Sequence, residues 1–105
     1  NNGLQIDGKI EDVCSPYPIG DKFKAFNFHV IDVADGNDMA QLRAAFAEAK
    51  QTKGQPTAII MKTVKGKCVS FMENQAGWHG KAPNDEEYAI AMEDLKKAGE
   101  ALCQK

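Results

Sequence analysis

Long apolar runs are missing from this sequence. The longest, Thr57-Ala58-Ile59-Ile60-Met61, is far shorter than a bilayer-spanning helix, and no basic segment followed by an apolar stretch marks a secretory signal near the N-terminus. An excess of positive charge is missing too. Thirteen Lys and Arg stand against fifteen Asp and Glu, so no field exists to gather the phosphates of a nucleic acid, and neither nucleic acid nor membrane is expected as a partner. Cysteine is scarce: Cys14, Cys68 and Cys103 are odd in number and form no C-x-x-C pair, which excludes a disulfide framework and a thiol zinc site. Small incidental thiols in a reducing cytoplasm are the expectation. Internal repeats and low-complexity segments are likewise absent. A length of 105 residues bounds the chain to one small domain or part of one.

What is present alternates. Asn1-Asn2-Gly3 is turn chemistry, and Leu4-Gln5-Ile6 reads as a short half-buried strand before the Asp7-Gly8 turn; its partner strands are expected outside this sequence. Lys9 to Tyr17, broken by Ser15-Pro16 and followed by Pro18, reads as a connecting loop. Ile19, Phe23 and Phe26 fall on one face of a short helix that stops at Asn27. Phe28 to Val33 is a β-branched and aromatic strand closed by Asp35-Gly36. Asp38 with Gln41 has the form of a capping box and opens a helix over Met39 to Lys50, whose stripe of Met39, Leu42, Phe46 and Ala49 is expected to face a core.

After the break at Gly54-Gln55-Pro56, Thr57 to Val64 suits a strand buried on both faces of a parallel sheet. Lys65 to Pro83 is a long irregular stretch whose Phe71, Met72 and Trp78 predict packing rather than disorder. A last helix starts at Asn84 with Glu87 completing a second capping box, and its expected core face carries Tyr88, Met92, Leu95 and Leu102. The order predicts an α/β fold with a partial parallel sheet and flanking helices.

In such sheets ligands sit beyond the carboxyl ends of the strands, and three places qualify. At Asn2-Gly3-Leu4, an amide oxygen and a backbone carbonyl could share a hard cation such as Mg2+, although an ordinary turn is the simpler reading. The basic turn Lys62-Thr63-Val64-Lys65-Gly66-Lys67 lacks the G-x-x-x-x-G-K-[ST] pattern, which favours solvated lysines over a phosphate cradle. Gly77-Trp78-His79-Gly80-Lys81-Ala82-Pro83 sets a histidine between glycines in a loop, where it could donate to phosphate or relay protons. His29, inside a strand, reads as structural; Asp32, Asp35 and Asp85-Glu86-Glu87 read as turn and cap residues.

These motifs, in this order, resemble the later part of the N-terminal, thiamine-diphosphate-binding domain of transketolases, over nearly the whole chain. Asn1 to Gly8 looks like the second half of that family's cofactor motif, whose first half is a Gly-Asp-Gly upstream. Asp35-Gly36-Asn37-Asp38, the Lys62 to Glu73 stretch and Ala76 to Pro83 resemble the family's turn, its basic run and its histidine loop, the last in the version split into separate N- and C-terminal subunits. The resemblance implies that residues 1–105 are the C-terminal portion of a thiamine-diphosphate-binding fold. It further implies that Asn2, through its side chain, and Leu4, through its carbonyl, hold Mg2+ or another divalent cation, that Ile6 contacts the cofactor, and that His79 is a catalytic residue near the diphosphate. The activity implied is transfer of a two-carbon ketol unit between sugar phosphates, with the cofactor as nucleophile and electron sink.

Departures from the family pattern are equally specific. Cys68 stands where the family commonly has glycine, there is no Gly-Asp-Gly carboxylate for the metal, and no pyrimidine-binding domain is present. The resemblance therefore implies a chain inactive alone, working with a C-terminal subunit or domain in a homodimer or heterotetramer. A non-catalytic α/β interaction or regulatory domain derived from the same fold is the alternative.

Overall fold

The computed structural model describes residues 1–103. The chain divides into two compact units, Asn1–Thr63 and Val64 onward.

In the first unit, strands β1 (Leu4–Gln5) and β2 (Gly8–Lys9) form an antiparallel hairpin with Leu4 opposite Lys9 and Gln5 opposite Gly8. The expectation that this strand finds its partner outside the sequence is thus corrected. A two-residue turn brings β1 against Gly8 and Lys9, and Ile6 lies in that turn rather than in the strand. The connecting segment holds a one-turn helix, α1 (Ile10–Cys14), where a loop was expected. Five residues are too few to show a helical period, but Glu11 and Asp12 suit the positive end of the helix dipole, and the residue before Pro16 ends it.

Helix α2 (Ile19–Ala25) follows a cis Tyr17-Pro18 bond and ends at Asn27, whose φ of 62° turns the chain into the sheet. Phe28 folds back so that its ring meets Phe23 edge-on at 5.2 Å. Strand β3 (His29–Val33) runs parallel to β4 (Thr57–Met61), His29 opposite Thr57 and Val33 opposite Met61. The crossover between them is α3 (Met39–Gln51), capped by the Asp38 carboxylate accepting from the Ala40 N–H at 2.8 Å. The Gln41 side chain reaches back to the cap as expected, but to its carboxylate: its amide nitrogen donates to Asp38 Oδ2 and its oxygen accepts from the Asp35 N–H.

Alternation along the strands sends Ile31, Val33, Ile59 and Met61 to one face, where they pack with Ala45 and Ala49 of α3. The other face receives α2, where Gly20 lies close enough to Val30 and Ile60 that an added Cβ would already be in contact, at 3.5 and 3.6 Å. Full burial of a side chain such as Ile31 contributes about 1.5–3 kcal/mol. β4 ends at Met61 rather than Val64 and is half-buried throughout, not buried on both faces, since among the described residues β3 is its one strand neighbour.

The second unit has no strand among the described residues. Its chain runs through the turns of residues 66–74 and a short 3-10 turn (Ala76–Trp78) into the long helix α4 (Asp85–Cys103). Val69 and Ala91 are its buried apolar residues.

The expected core stripe of α3 holds at Leu42 and Ala49 but not at Met39 and Phe46, and that of α4 faces outward. In α3 the sheet is met by Ala45 and Ala49, while Met39 and Phe46 are exposed. In α4 the covered positions are Glu87, Ala91, Asp94 and Ala98, and Tyr88, Met92, Leu95 and Leu102 are exposed. For α3, a two-stranded sheet offers only enough surface for one side of the helix, and small residues allow the closest approach there.

Candidate functional site

The turn at Asn1-Asn2-Gly3 sits at the carboxyl end of β4. The Asn1 amino group donates to the Met61 carbonyl at 2.8 Å, and the Thr63 N–H donates to the Asn1 carbonyl at 3.0 Å. The carboxyl end of β3 lies beside it, since the Gly36 N–H donates to the Lys62 carbonyl at 2.7 Å. Gly36 is obligatory at that crossing, because a Cβ would come within 2.7 Å of Met61 and 2.8 Å of Thr63.

Both asparagines fold onto their own backbone. Asn1 Oδ1 accepts from the Gly3 N–H at 3.1 Å and from the Tyr17 hydroxyl at 3.0 Å, and Asn2 Oδ1 accepts from the Leu4 N–H at 3.0 Å. Gly3 allows this with φ of 69°. In the hairpin, the Ile10 N–H donates to the Gly3 carbonyl, so the backbone groups of Leu4 point away from Lys9. The N–H and C=O of one strand residue share an edge. Asn2 Oδ1, held by the Leu4 N–H, and the Leu4 carbonyl are therefore presented on the same side of β1.

Two neutral oxygens on one edge match the preference of a hard divalent cation, and Asn2 keeps a second lone pair for it. The set is partial: no group of three His, Cys, Asp or Glu residues able to hold a metal occurs among the described residues. Two oxygens alone fall short of the roughly six that such a cation takes. Ile6, exposed at the hairpin tip, adds an apolar surface two residues beyond Leu4.

His79 belongs to the second unit, and its surroundings are described there. It is exposed and closes the 3-10 turn, its N–H donating to the Ala76 carbonyl at 3.0 Å. The loop beneath it is anchored on Trp78, whose Nε1 donates to the Phe71 carbonyl at 3.1 Å and whose ring lies 5.1 Å from that of Phe71. Lys81 Nζ lies 4.1 Å from the centre of the Trp78 ring and donates to Glu87 Oε1 at 2.6 Å. Glu87 and Asn84 form the expected capping box, at 2.9 and 2.8 Å. The hydrogen bonds from Lys81 and from the Asn84 N–H hold the Glu87 carboxyl below its usual range. Imidazole is thus presented to solvent from a loop fixed on both sides.

The basic turn divides between the units. In its second half Gly66 packs so tightly that a Cβ would come within 2.6 Å of Met72, and Lys67 lies 3.6 Å from Glu73. Cys68 takes φ of 70°, the region glycine prefers, with its N–H donating to Glu73 Oε1 at 2.8 Å. For a residue other than glycine that is a strained position. Sequence reading missed Tyr17, which tethers Asn1, and Ser70, whose N–H and hydroxyl both donate to Asp94 and hold its carboxyl low. Neither contact leaves a local pattern, since the partners stand 16 and 24 residues apart.

A family profile described as "Transketolase, thiamine diphosphate binding domain" matches residues 1–99. The chain belongs to the transketolase family. Among its relatives, the 6-deoxy-6-sulfo-D-fructose transketolase subunit SqwG of Clostridium sp. (strain MSTE9) is 34% identical, over 93% of this chain and 35% of that protein. An apulose-4-phosphate transketolase subunit of Phocaeicola vulgatus is 35% identical, over 96% of this chain and 36% of its own length. The solved transketolase from Leishmania mexicana superposes with a TM-score of 0.62 at 27% identity, over 95% of this chain and 18% of that one. A Pichia stipitis transketolase structure reaches 0.68 at 21% identity, a likeness of fold. This transketolase-type chain therefore spans about a third of the subunit relatives it matches. Among the described residues no helix is long and apolar enough to cross a membrane.

Proposed function

We propose that the chain supplies the metal-and-diphosphate edge of a thiamine-diphosphate enzyme that moves a two-carbon ketol unit between sugar phosphates. The observation that carries this reading is the pairing of Asn2 Oδ1 and the Leu4 carbonyl on one edge of β1, at the carboxyl end of a parallel sheet. Asn2 and Leu4 hold Mg2+, or another divalent ion, against the diphosphate. Ile6 lends apolar contact, and His79 donates to phosphate or substrate oxygens and passes protons there. When bound, the cofactor supplies the nucleophilic carbon and the electron sink. Residues 1–105 act as the later portion of the cofactor-binding domain, and further ligands come from the rest of the assembly.

The relatives named as transketolase subunits support a partner subunit or domain. The reading extends to a C-terminal partner subunit in a homodimer or heterotetramer, working in the cytoplasm on pentose phosphate interconversion. By itself the 105-residue chain should show no ketol transfer.

In the complete assembly, Asn2→Ala should weaken Mg2+-dependent cofactor binding, read by calorimetry. His79→Ala should lower kcat by about 10²–10⁴-fold, the usual contribution of a positioned acid or base. Full activity in the doubly substituted assembly would refute both assignments.

A further inference from the structure

Between the 3-10 turn and α4 the chain passes from His79 to Asn84 without a regular element. Steric packing does not fix its glycines: a Cβ added at Gly77 or Gly80 would meet nothing within 4 Å. Nor is the imidazole of His79 held by a bond of its own among the described residues, so its position is inherited from its backbone. That backbone is tied on the N-terminal side, where the Trp78 N–H donates to the Gln75 carbonyl at 3.3 Å and the His79 N–H to the Ala76 carbonyl at 3.0 Å. The question is what holds the other side.

Lys81 meets it. Its Nζ lies 4.1 Å from the centre of the Trp78 ring, so the side chains of positions 78 and 81 touch and close a small ring around His79 and Gly80. The same ammonium donates to Glu87 Oε1 at 2.6 Å. Glu87 is a firm anchor, because its other oxygen accepts from the Asn84 N–H at 2.9 Å and its own N–H donates to Asn84 Oδ1 at 2.8 Å. Its side chain is only 24% exposed, so the pair is screened less than one in open water. Trp78 is anchored in turn, through Nε1 on the Phe71 carbonyl. The ammonium is already neutralised by Glu87, which argues against its drawing in an anionic substrate by itself.

We propose that Lys81 is a positioning residue for His79: holding the Trp78 ring on one side and Glu87 on the other, it fixes the segment from which the imidazole reaches substrate. A cation over an aromatic face and a charge-assisted bond to a carboxylate are both lost with the charge, and both are available to a guanidinium. The catalytic consequence rests on the role given to His79 above; the effect on the loop does not.

The test is Lys81→Met in the complete assembly, which keeps a long stem against Trp78 and removes the charge. The Trp78 and His79 amides should exchange about tenfold faster. With thiamine diphosphate and Mg2+ saturating, kcat should fall by about tenfold, within the roughly 10²-fold that a misplaced group costs, while the cofactor Kd stays within about twofold. Lys81→Arg should restore most of both losses. Glu87→Gln, which keeps an oxygen for the Asn84 N–H, should reproduce them. In a His79→Ala background Lys81→Met should cost nothing further, since nothing is left to position. Unchanged exchange of the two amides in Lys81→Met overturns the proposal. So does a kcat loss that persists in the His79→Ala background or that Glu87→Gln fails to reproduce, since either gives Lys81 a direct role on substrate. If His79→Ala alone leaves kcat intact, the role of His79 is what fails, and the exchange of the two amides still decides whether Lys81 holds the loop.

Discussion

In residues 1–63 position is held by buried carbon, with Ile31, Val33 and Ala45 packed between a parallel strand pair and α3. In residues 64–103 it is held by polar atoms on short tethers: Trp78 to Phe71, Glu73 to Cys68, Ser70 to Asp94, and Lys81 to Glu87. Apolar burial carries no charge for dilute salt to screen and no proton to lose, whereas charge-assisted bonds on a surface are sensitive to both salt and acid. The proposed metal edge therefore rests on the part of the chain that charge screening touches least, and the histidine loop on the part it touches most.

The strongest way to break this contrast is to hollow the first unit. Ile31→Ala should cost about 2–4 kcal/mol, for lost transfer energy plus a cavity. Hydrogen exchange should accelerate in β3 and β4 while the Trp78 loop keeps its protection; equal acceleration in both units would mean one cooperative block. A smaller change of opposite sign comes from Cys68→Gly, which relieves a positive φ and should raise thermal stability by up to about 1 kcal/mol. The gain should appear in the second unit's protection, and a loss there would show that the thiol's contacts outweigh the strain.

The smallest effect is expected from acid. Glu87 and Asp94 both have carboxyls held below their usual range. Folding therefore binds these protons less readily, and the stability gained is fully present above the ordinary carboxylate range near pH ~4, then lost as pH falls through the lowered values. The Trp78 and Ser70 segments should lose exchange protection over that window. In a Lys81→Met, Ser70→Ala chain the dependence should flatten; an unchanged acid profile would remove these two carboxyls from the explanation.

Where sequence reading succeeded, the cause is local and periodic. Asp38 and Asn84 cap the helices expected of them because a cap and its partner stand only two or three residues apart. β3 and β4 were legible from β-branched runs. The turns at Asn1-Asn2-Gly3 and Asp7-Gly8 were readable because the residues there favour few other conformations. What escaped is what distance or shortness hides. The hairpin pairing of Leu4 with Lys9 involves two-residue strands, and the Tyr17 tether spans a cis bond and a one-turn helix. The helix faces were misjudged for another reason. Periodicity identifies an apolar stripe but not which side this chain covers, and Ala45 and Ala91 took the contacts expected of Phe46 and Met92.

That reversal in α4 bears on how the chain behaves in a test tube. A 19-residue helix that leaves Tyr88, Met92, Leu95 and Leu102 about half exposed or more forgoes roughly half of the about 1.5–3 kcal/mol that full burial of each would give. The melting point of the isolated chain is consequently a floor. Any solution that dries that stripe, whether by salting-out ions or by simple crowding of one chain on another, will raise it, and a melt repeated across a dilution series will read out how far.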